Sequence, residues 1–461
     1  MDVHVADRVG VALASGFVGG LVRARMSDPA ASQSSTVSPA VAAPEFPPVR
    51  RREIFGWCCF DFANSAFTTI IITVIYARYF VGVVAEGNAS APAWWGRALA
   101  LSQMVVILMS PLLGAVADAK AAKKRFLMMT AVICSLATIG LYFVGPGEIW
   151  LALGLVAVAN IAFSLSENLC AAFLPEISTP ENAGRISGFG WSFGYFGGLL
   201  SLLIALAMIK SDEARVPWTF VMTGEFFLVA TLPTLLLLRE RARPRPLAPG
   251  DSFLKAGWRA NGALLRELPQ HRTLFVFFIA MVFFIAGLMA VISFSSVFAD
   301  QVLKMTLDET VVLFIVLQLA GVVGAFGFGV LQDRLGSKAA LVGALILWVI
   351  VCVWVAWCRT KGEFMAIGVV AGLALGSLQS AGRAVVSMLT PPGRSGEFFG
   401  CWGFFGKLAA LIGPLVFGEL AAAFGYRAAI LTNAGFFLVG LVIVATLDLR
   451  KRALVAESTG A

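Results

Sequence analysis

Histidine is nearly missing from this sequence. Its 461 residues include only His4 and His271, and both lie outside the long apolar runs. No histidine-based catalytic or metal-binding group can therefore form within those runs. A phosphate-binding loop of the Walker type does not occur either, so ATP is not the expected energy source. We expect no catalytic site, no metal and no other cofactor.

Charged residues are scarce as well. They make up 13% of the chain, whereas a typical soluble domain contains about 25%. Hydrophobic residues reach 59%. The seven cysteines all fall within apolar runs, at spacings that suit neither a zinc site nor an extracellular disulfide framework. This composition excludes an ordinary soluble protein and predicts a chain that lies in a lipid bilayer.

Twelve apolar segments are each long enough to cross roughly 30 Å of hydrocarbon, which takes about 20 helical residues. Lipid offers no partner for unpaired backbone groups, and the pattern lacks the alternation of barrel strands, so these segments must be α-helices. They are predicted at residues 55–84, 95–117, 126–144, 149–173, 186–209, 218–238, 274–298, 310–331, 339–358, 364–389, 398–421 and 428–447.

Most of the 35 Lys and Arg residues lie in the loops on the same side as the N-terminus. Because cytoplasmic loops hold the excess of basic residues, both termini are predicted to be cytoplasmic. The net charge of +8 then faces anionic lipid and requires no nucleic-acid partner. The predicted regions are an N-terminal cytoplasmic region (1–52), a six-helix half (53–238), a cytoplasmic linker (239–272), a second six-helix half (273–448) and a cytoplasmic tail (449–461).

Two parts of the chain outside the apolar segments have features of their own. Residues 27–48 are rich in Ala, Ser and Pro and are expected to be disordered; whether translation starts at Met1 or Met26 stays open. In the linker, residues 252–268 alternate apolar and basic side chains. This pattern favours a short amphipathic helix on the membrane surface over a plain linker.

Related sequences in the two halves indicate an internal duplication. GAVADAKAAKKR follows the second apolar segment and GVLQDRLGSK follows the eighth; in both, a glycine precedes an aspartate by four residues (Gly114 and Asp118, Gly329 and Asp333). GFGWSFGYFGG and EFFGCWGFFGKLAALIGP, rich in glycine and aromatic residues, similarly open the fifth and eleventh segments. Such glycines let helices pack closely in lipid. We therefore predict an all-α membrane protein of twelve helices in two six-helix pseudo-repeats.

The second loop closely resembles the loop signature of the major facilitator superfamily, and the first departs from it by having Ala121 where the loop glycine belongs. A glycine permits close helix approach, and the carboxylate can meet a helix N-terminus or a basic side chain. The resemblance implies that these loops form a cytoplasmic gate and not a substrate site. The gate candidates are Asp118, Arg125, Gly329, Asp333, Arg334 and Lys338.

Three further motifs, WCCFDFANSAF, LPEISTPENAGRISGFGWSFGYFGG and GSLQSAGRAVVSMLTPPGRSGEFFG, carry a narrower resemblance. In order and spacing they are similar to the autophagy-type vacuolar amino-acid effluxer branch of the superfamily, from about residue 53 to the last helix. Fungal members imply export of neutral amino acids from the vacuole. The chain looks like a bacterial member, which implies a monomeric multi-pass protein in the inner (plasma) membrane.

Three apolar segments carry polar stripes at helical spacing. The stripes are Asp61, Asn64, Ser65 and Thr68; Asn160, Ser164, Glu167 and Asn168; and Gly372, Gly376, Gln379, Ser380, Arg383 and Ser387. The resemblance implies that these first, fourth and tenth helices line a central cavity. The candidates for binding or coupling there are Asp61, Asn64, Glu167, Asn168, Gln379 and Arg383.

Asp61, Glu167 and Arg383 each lie about 10 Å from the cytoplasmic end of their helix, at 1.5 Å per residue, so they could meet. A charge within a span is costly and marks a functional candidate. We expect the two carboxylates to couple transport to a proton or ion near Arg383; a fixed structural ion pair is the alternative. Lys407 and Glu225 are weaker candidates.

The sequence thus predicts a secondary transporter of a small polar solute, with neutral amino acids as one substrate class. It would work by rocking one half against the other around a central site. Its expected partners are the solute, protons or another coupling ion, and the lipid bilayer. The alternative is an integral membrane enzyme or a lipid-handling protein, which would leave the duplicated gate loops unexplained.

Overall fold

The computed structural model describes residues 48–244 and 253–449. The predicted disordered segment up to residue 47, the two start codons Met1 and Met26, and the tail from residue 450 onwards lie outside the described residues.

Within the described ranges, twelve helices are long and apolar enough to cross a membrane, which confirms the predicted all-α fold. In chain order they are α1 (Arg51–Val84), α2 (Ala91–Lys120), α3 (Lys123–Phe143), α4 (Ile149–Ile177), α5 (Ala183–Ser211), α6 (Val216–Leu237), α7 (Arg272–Gln301), α8 (Glu309–Leu335), α9 (Ser337–Trp357), α10 (Lys361–Leu389), α11 (Ser395–Phe424) and α12 (Tyr426–Thr446). We call the end of the bundle where α1 begins the inner end, and the opposite end the outer end. That the inner end faces the cytoplasm remains a prediction.

Several helices extend beyond the apolar segments from which they were predicted. Helix α1 begins at Arg51 instead of residue 55, α3 at Lys123 instead of 126, and α10 at Lys361 instead of 364. Long basic side chains can reach the headgroup layer from a helix end, so the helix continues where the apolar run has stopped.

The outer part of α1 departs from regular α-helix. Residues Arg51–Phe67 are α-helical, whereas Thr68–Val74 and Phe80–Val84 follow the wider π-helical pattern. Such π-turns are rare and occur frequently at functional sites. The change begins after Asp61 and Asn64, so these two residues keep the α-helical spacing on which the polar stripe was predicted.

The two halves have separate hydrophobic cores. One cluster centres on residues such as Trp57 and Phe60 of the first half, and the other lies mainly in the second half, around Phe277 and Trp348. The halves meet along two seams, where α2 packs against α11 and α5 packs against α8. Each seam pairs the second helix of one half with the fifth helix of the other, which is the symmetry of an internal repeat.

A further helix, Phe253–Glu267, lies between α6 and α7 in the chain and packs against α2. It falls where the sequence predicts an amphipathic helix. Leu264 is fully buried, whereas Lys255 and Trp258 are exposed. One face of this connecting helix therefore packs on the bundle, and its contact with a membrane surface remains a prediction.

Candidate functional site

The two gate aspartates make the same contact in opposite halves. Asp118 at the end of α2 accepts hydrogen bonds from the backbone N–H groups of Gly396 and Glu397, each at 3.0 Å. Asp333 at the end of α8 accepts from the N–H groups of Gly184 at 3.0 Å and Arg185 at 3.1 Å. Each carboxylate thus binds the positive N-terminus of a helix across the seam between the halves.

Glycines make this contact geometrically feasible. A Cβ atom on Gly114 would lie 2.0 Å from the carbonyl oxygen of Gly396, and one on Gly329 would lie 2.6 Å from the carbonyl oxygen of Gly184. Any side chain at these positions would push the seam apart. The inner end is therefore held closed by two matching glycine and aspartate contacts, one per half.

The loop after α2 has a different backbone conformation from the loop after α8. Gly336 has φ 92°, a conformation that glycine adopts readily, while Ala121 at the corresponding position is left-handed with φ 48°. A left-handed residue with a Cβ atom costs roughly 1–2 kcal/mol. The missing loop glycine is thus replaced by an alanine in a strained turn that is one residue longer, with two residues between α2 and α3 but only Gly336 between α8 and α9.

Lys123, and not the predicted Arg125, accompanies Asp118 in the gate. The Nζ atom of Lys123 lies 3.6 Å from Oδ1 of Asp118 and donates to Ser395 at 2.5 Å and to Glu176. Arg125 is exposed because it follows two residues later on α3, about 200° around the helix. The basic residue of the gate is therefore buried at the first position of α3.

The other two basic gate candidates, Arg334 and Lys338, are exposed at the inner end. Their side chains lie on the surface, whereas the contact across the seam is made by the carboxylate of Asp333 and by Gly329. In this copy of the gate motif, Asp333 and Gly329 thus make the contact across the seam, and the two basic residues lie on the surface.

The residues that follow α6 contact the start of α3, where Lys123 of the gate lies. Glu240 accepts from the N–H groups of Lys123 at 2.6 Å and Lys124 at 3.2 Å. Burial raises the pKa of the Glu240 carboxyl above its usual range, and the two backbone hydrogen bonds oppose that rise. Arg241 adds an ion pair with Glu53 at 2.8 Å.

The connecting helix reaches the opposite side of the gate. Glu267, its last residue, lies 2.8 Å from Nη1 of Arg394, and Nε of Arg394 lies 2.8 Å from the buried Glu397. Glu397 is one of the two residues whose N–H groups bind Asp118. The linker that joins the two halves therefore contacts the closed gate at both of its ends, through Glu240 and through Glu267.

Arg383 joins the halves one layer deeper than the gate. Its Nη1 atom lies 2.7 Å from Oδ2 of Asp61, while Nε and Nη2 donate to the hydroxyl and the carbonyl oxygen of Ser187 at 3.1 and 2.9 Å. The guanidinium carbon lies 4.5 Å from the ring centre of Trp57 and 5.3 Å from that of Trp191. Each of the three guanidinium nitrogens thus has a protein hydrogen-bond partner in this conformation.

A cavity lies on the outer side of Arg383. It is bounded by helices of both halves, with polar residues at Glu167, Asn168, Gln379 and Lys407 and aromatic residues at Trp191 and Trp402. The ammonium of Lys407 lies 3.3 Å from Oε2 of Glu167, and the two side chains are 17% and 26% exposed. The side chains of Arg383 and Asp61 are only 4% and 11% exposed, so the Glu167–Lys407 pair is the more accessible one.

Of the three charges expected to meet, Asp61 and Arg383 form an ion pair, whereas Glu167 pairs with a different residue. Glu167 and Arg383 line the same cavity, yet the ion-pair partner of Glu167 is Lys407. Arg383 is turned toward Asp61, and that carboxylate and Ser187 accept one hydrogen bond from each of its three nitrogens. Glu225, the other weaker candidate, is exposed on α6.

The remaining predicted cavity residues occupy different positions. Gln379 accepts a hydrogen bond from the hydroxyl of Tyr195 at 2.7 Å. Asn168 donates to Ser110 at 2.6 Å, while its Oδ1 atom is buried without a hydrogen-bond partner. Asn64 is buried in α1 and is not part of the cavity wall. Two of these three amides therefore face the central space.

Sequence patterns missed the aromatic part of the site. Trp191, Trp402 and Tyr195 lie within glycine-rich stretches that were interpreted as packing. Lys407 carried a usable signal, since a charge inside an apolar segment is costly. Among residues 48–244 and 253–449, no group of three His, Cys, Asp or Glu side chains is arranged to hold a metal ion.

Comparison with known proteins agrees with this architecture. The chain is 26% identical over 406 residues to the MFS-type transporter YxiO of Bacillus subtilis (strain 168), a match that covers 85% of this chain and 93% of that protein. It is 22% identical over 473 residues to autophagy-related protein 22-1 of Penicillium rubens, with coverage of 82% and 78%.

Solved structures support the fold. The human organic anion transporter MFSD10 aligns with a TM-score of 0.71 at 14% identity, over 86% of this chain and all of that one. The transporter FucP in its outward conformation aligns with a TM-score of 0.64, also at 14% identity, over 85% and 97% of the two chains. Both share the major facilitator fold.

The sequence profile of the family described as "Vacuole effluxer Atg22 like" matches residues 79–457. The relatives are transporters, so the alternative of an integral membrane enzyme is set aside. The chain is a multi-pass membrane protein whose partner is a small solute. It belongs to the Vacuole effluxer Atg22 like family, a branch of the major facilitator superfamily of secondary transporters.

Proposed function

We propose that this protein transports a small zwitterionic solute, and that neutral amino acids are its substrate class. One observation carries the proposal: Glu167 and Lys407 form an accessible ion pair across the central cavity. Helix α4 supplies the carboxylate and α11 the ammonium, so the two halves of the protein offer opposite charges to the same space.

A zwitterion suits this pair because it can replace both partners at once. Its ammonium group would bind Glu167 and its carboxylate would bind Lys407, so neither charge would be left unpaired. Trp191 and Trp402 provide apolar surface in the same cavity, which matches a neutral side chain. A solute with a single charge would leave one member of the pair without a partner.

Alternating access would follow from the contacts across the seams. Asp118, Asp333 and the Asp61–Arg383 pair hold the inner end closed, and their release would let the halves rock about the central site. Protonation of Glu167 would free Lys407 from its ion pair, which offers a route by which a proton could drive the change. Asp61 is the second coupling candidate.

For orientation, we propose that the inner end faces the cytoplasm of a bacterial cell and that the protein is a monomer in the plasma membrane. Reporter fusions after Gly147 and after Lys304, both in outer loops, are then expected to be extracytoplasmic. A fusion after Pro249 is expected to be cytoplasmic. The opposite pattern would reverse the assignment of every loop.

Substrate class is tested with purified protein in liposomes under an imposed proton gradient. Radiolabelled alanine, leucine and glutamine are expected to accumulate, and glucose and succinate are not. Because a hydrogen bond to a charged group contributes about 1.5–3 kcal/mol, Lys407→Gln is expected to raise the half-saturating concentration by about tenfold or more.

A second ion pair provides the matched control. Glu309 and Lys361 lie 2.7 Å apart near the outer end and are both more than 40% exposed. Exposed pairs contribute little, so Lys361→Gln is expected to leave uptake unchanged. Accumulation of succinate or glucose in place of the amino acids would contradict the proposal, as would equal effects of Lys407→Gln and Lys361→Gln.

A further inference from the structure

An apolar groove lies between α1 and α5 at the inner end of the bundle, apart from the central cavity. It is open to the surroundings. Its walls include Ile54, Phe55, Phe189 and Phe193, and its two basic residues are Arg51 and Arg185. No acidic side chain of the described residues lines it.

The charged and apolar residues of the groove lie at different depths. Arg51 is the first residue of α1, and Arg185 lies in the first turn of α5. Phe55 follows Arg51 by four residues, and Phe193 follows Arg185 by eight, which places the rings about 6 and 12 Å further along their helices. The two rings meet edge to face with centres 6.0 Å apart. The groove is therefore basic at its mouth and aromatic in its depth.

We propose that this groove binds an anionic phospholipid from the leaflet at the inner end. The phosphate would lie between the guanidinium groups of Arg51 and Arg185, which are exposed at the level of the headgroups. An acyl chain would lie along Phe55 and Phe193, where water has no polar partner. A soluble phosphate would use the two arginines alone and leave the apolar part of the groove without a function.

The site adjoins the gate through α5. The backbone N–H of Arg185 donates to Asp333 of the gate, and Phe189 stacks on Phe326 of α8 with ring centres 5.4 Å apart. All the lining residues come from α1 and α5 or from the loop just before α5, which belong to one half. The lipid site is therefore expected to remain intact when the halves move, and it does not depend on which solute is transported.

Native mass spectrometry of the full chain in detergent tests the proposal. Dioleoylphosphatidylglycerol is the anionic probe and dioleoylphosphatidylcholine the zwitterionic one. Because a basic residue near a membrane surface contributes about 1 kcal/mol, equivalent to about fivefold, Arg51→Gln/Arg185→Gln is expected to weaken phosphatidylglycerol binding by roughly tenfold or more.

The double variant Arg52→Gln/Lys210→Gln serves as the control. It removes the same net charge from exposed positions on the same two helices, neither of which lines the groove, so it is expected to bind phosphatidylglycerol as the unmodified chain does. Equal binding by both double variants would overturn the proposal. Displacement of the bound lipid by glycerol phosphate at matched concentration would overturn it too, because it would show a site for soluble phosphate.

Discussion

Oδ2 of Asp61 lies 2.7 Å from Nη1 of Arg383, which ties the first helix of one half to the fourth helix of the other. Both side chains are almost fully buried, and Ser187 and two tryptophans complete the surroundings of the guanidinium. We call this pair the inner latch, because it joins the two halves in this conformation. A solute in the cavity would reach Glu167 and Lys407 first.

Breaking the latch is expected to open the inner end. Asp61→Asn leaves Arg383 buried without its counter-charge, and removing one partner of a buried pair costs about 3–5 kcal/mol. Thr390 is buried at the inner end of α10, and the seven native cysteines are buried as well. A water-soluble maleimide should therefore label Thr390→Cys faster in the Asp61→Asn background.

The double variant Asp61→Asn/Arg383→Gln separates the charge effect from local packing. Because neither charge is then left unpaired, its effect on labelling and on thermal unfolding should be smaller than that of Asp61→Asn alone. If the two single effects simply add, the ion pair does not hold the inner end closed.

The seam between α5 and α8 is expected to be sensitive to a methyl group at Gly329. Gly329→Ala places a Cβ atom 2.6 Å from the carbonyl oxygen of Gly184, so α5 and α8 can no longer meet and labelling of Thr390→Cys should rise. Gly327→Ala, on the same helix, has no atom within 4 Å of its new Cβ. The same rate for Gly327→Ala and Gly329→Ala would contradict a steric role for the seam.

The gate could be predicted from sequence because its two copies repeat a pattern. A glycine four residues before an aspartate appears at Gly114 and Asp118 and again at Gly329 and Asp333, and the chemistry of a carboxylate at a helix N-terminus is local. The basic partner could not be predicted. Lys123 and Arg125 both lie in the first turn of α3, and which of them faces Asp118 depends on the orientation that the turn at Ala121 gives to α3.

The cavity was predicted less well than the gate, for a physical reason. Helical spacing shows which residues share a face of one helix, and this placed Asp61, Glu167 and Arg383 on inward faces. Pairing across helices depends on helix rotation and on depth, which spacing within one helix does not contain. Lys407 was therefore only a weaker candidate, on a helix expected at the interface between the halves, although the structure sets it 3.3 Å from Glu167.

Glu240 gives a prediction for pH dependence. Burial raises the pKa of its carboxyl in the folded state above the ordinary value of 4.5, so folding favours the protonated form. Its contribution to stability is fully present below pH 4.5 and is lost as the pH rises through the folded-state pKa. Glu240→Gln, which stays neutral, should flatten the thermal stability profile above pH 4.5.

The exposed carboxylate Glu86 provides the control for that measurement. Thermal unfolding in detergent is followed from pH 4 to pH 7 for Glu86→Gln, for Glu240→Gln and for the unmodified chain. Glu86→Gln should keep the slope of the unmodified chain. A slope that Glu240→Gln leaves unchanged would mean that burial of this carboxyl does not govern the profile.

Coupling is expected to depend on the charge of Glu167. In Glu167→Gln the side chain can still accept a hydrogen bond from an ammonium group, but it can no longer release or take up a proton. At saturating solute, exchange across equal concentrations should continue, because exchange needs the binding site without net proton movement. Accumulation against a gradient should be lost, since protonation can no longer break the pair with Lys407. Counterflow and concentrative uptake in the same liposomes measure the two activities side by side. Full accumulation by Glu167→Gln with an unaltered pH profile would show that this carboxylate is structural, and the same pair of measurements on Asp61→Asn would then locate the coupling group.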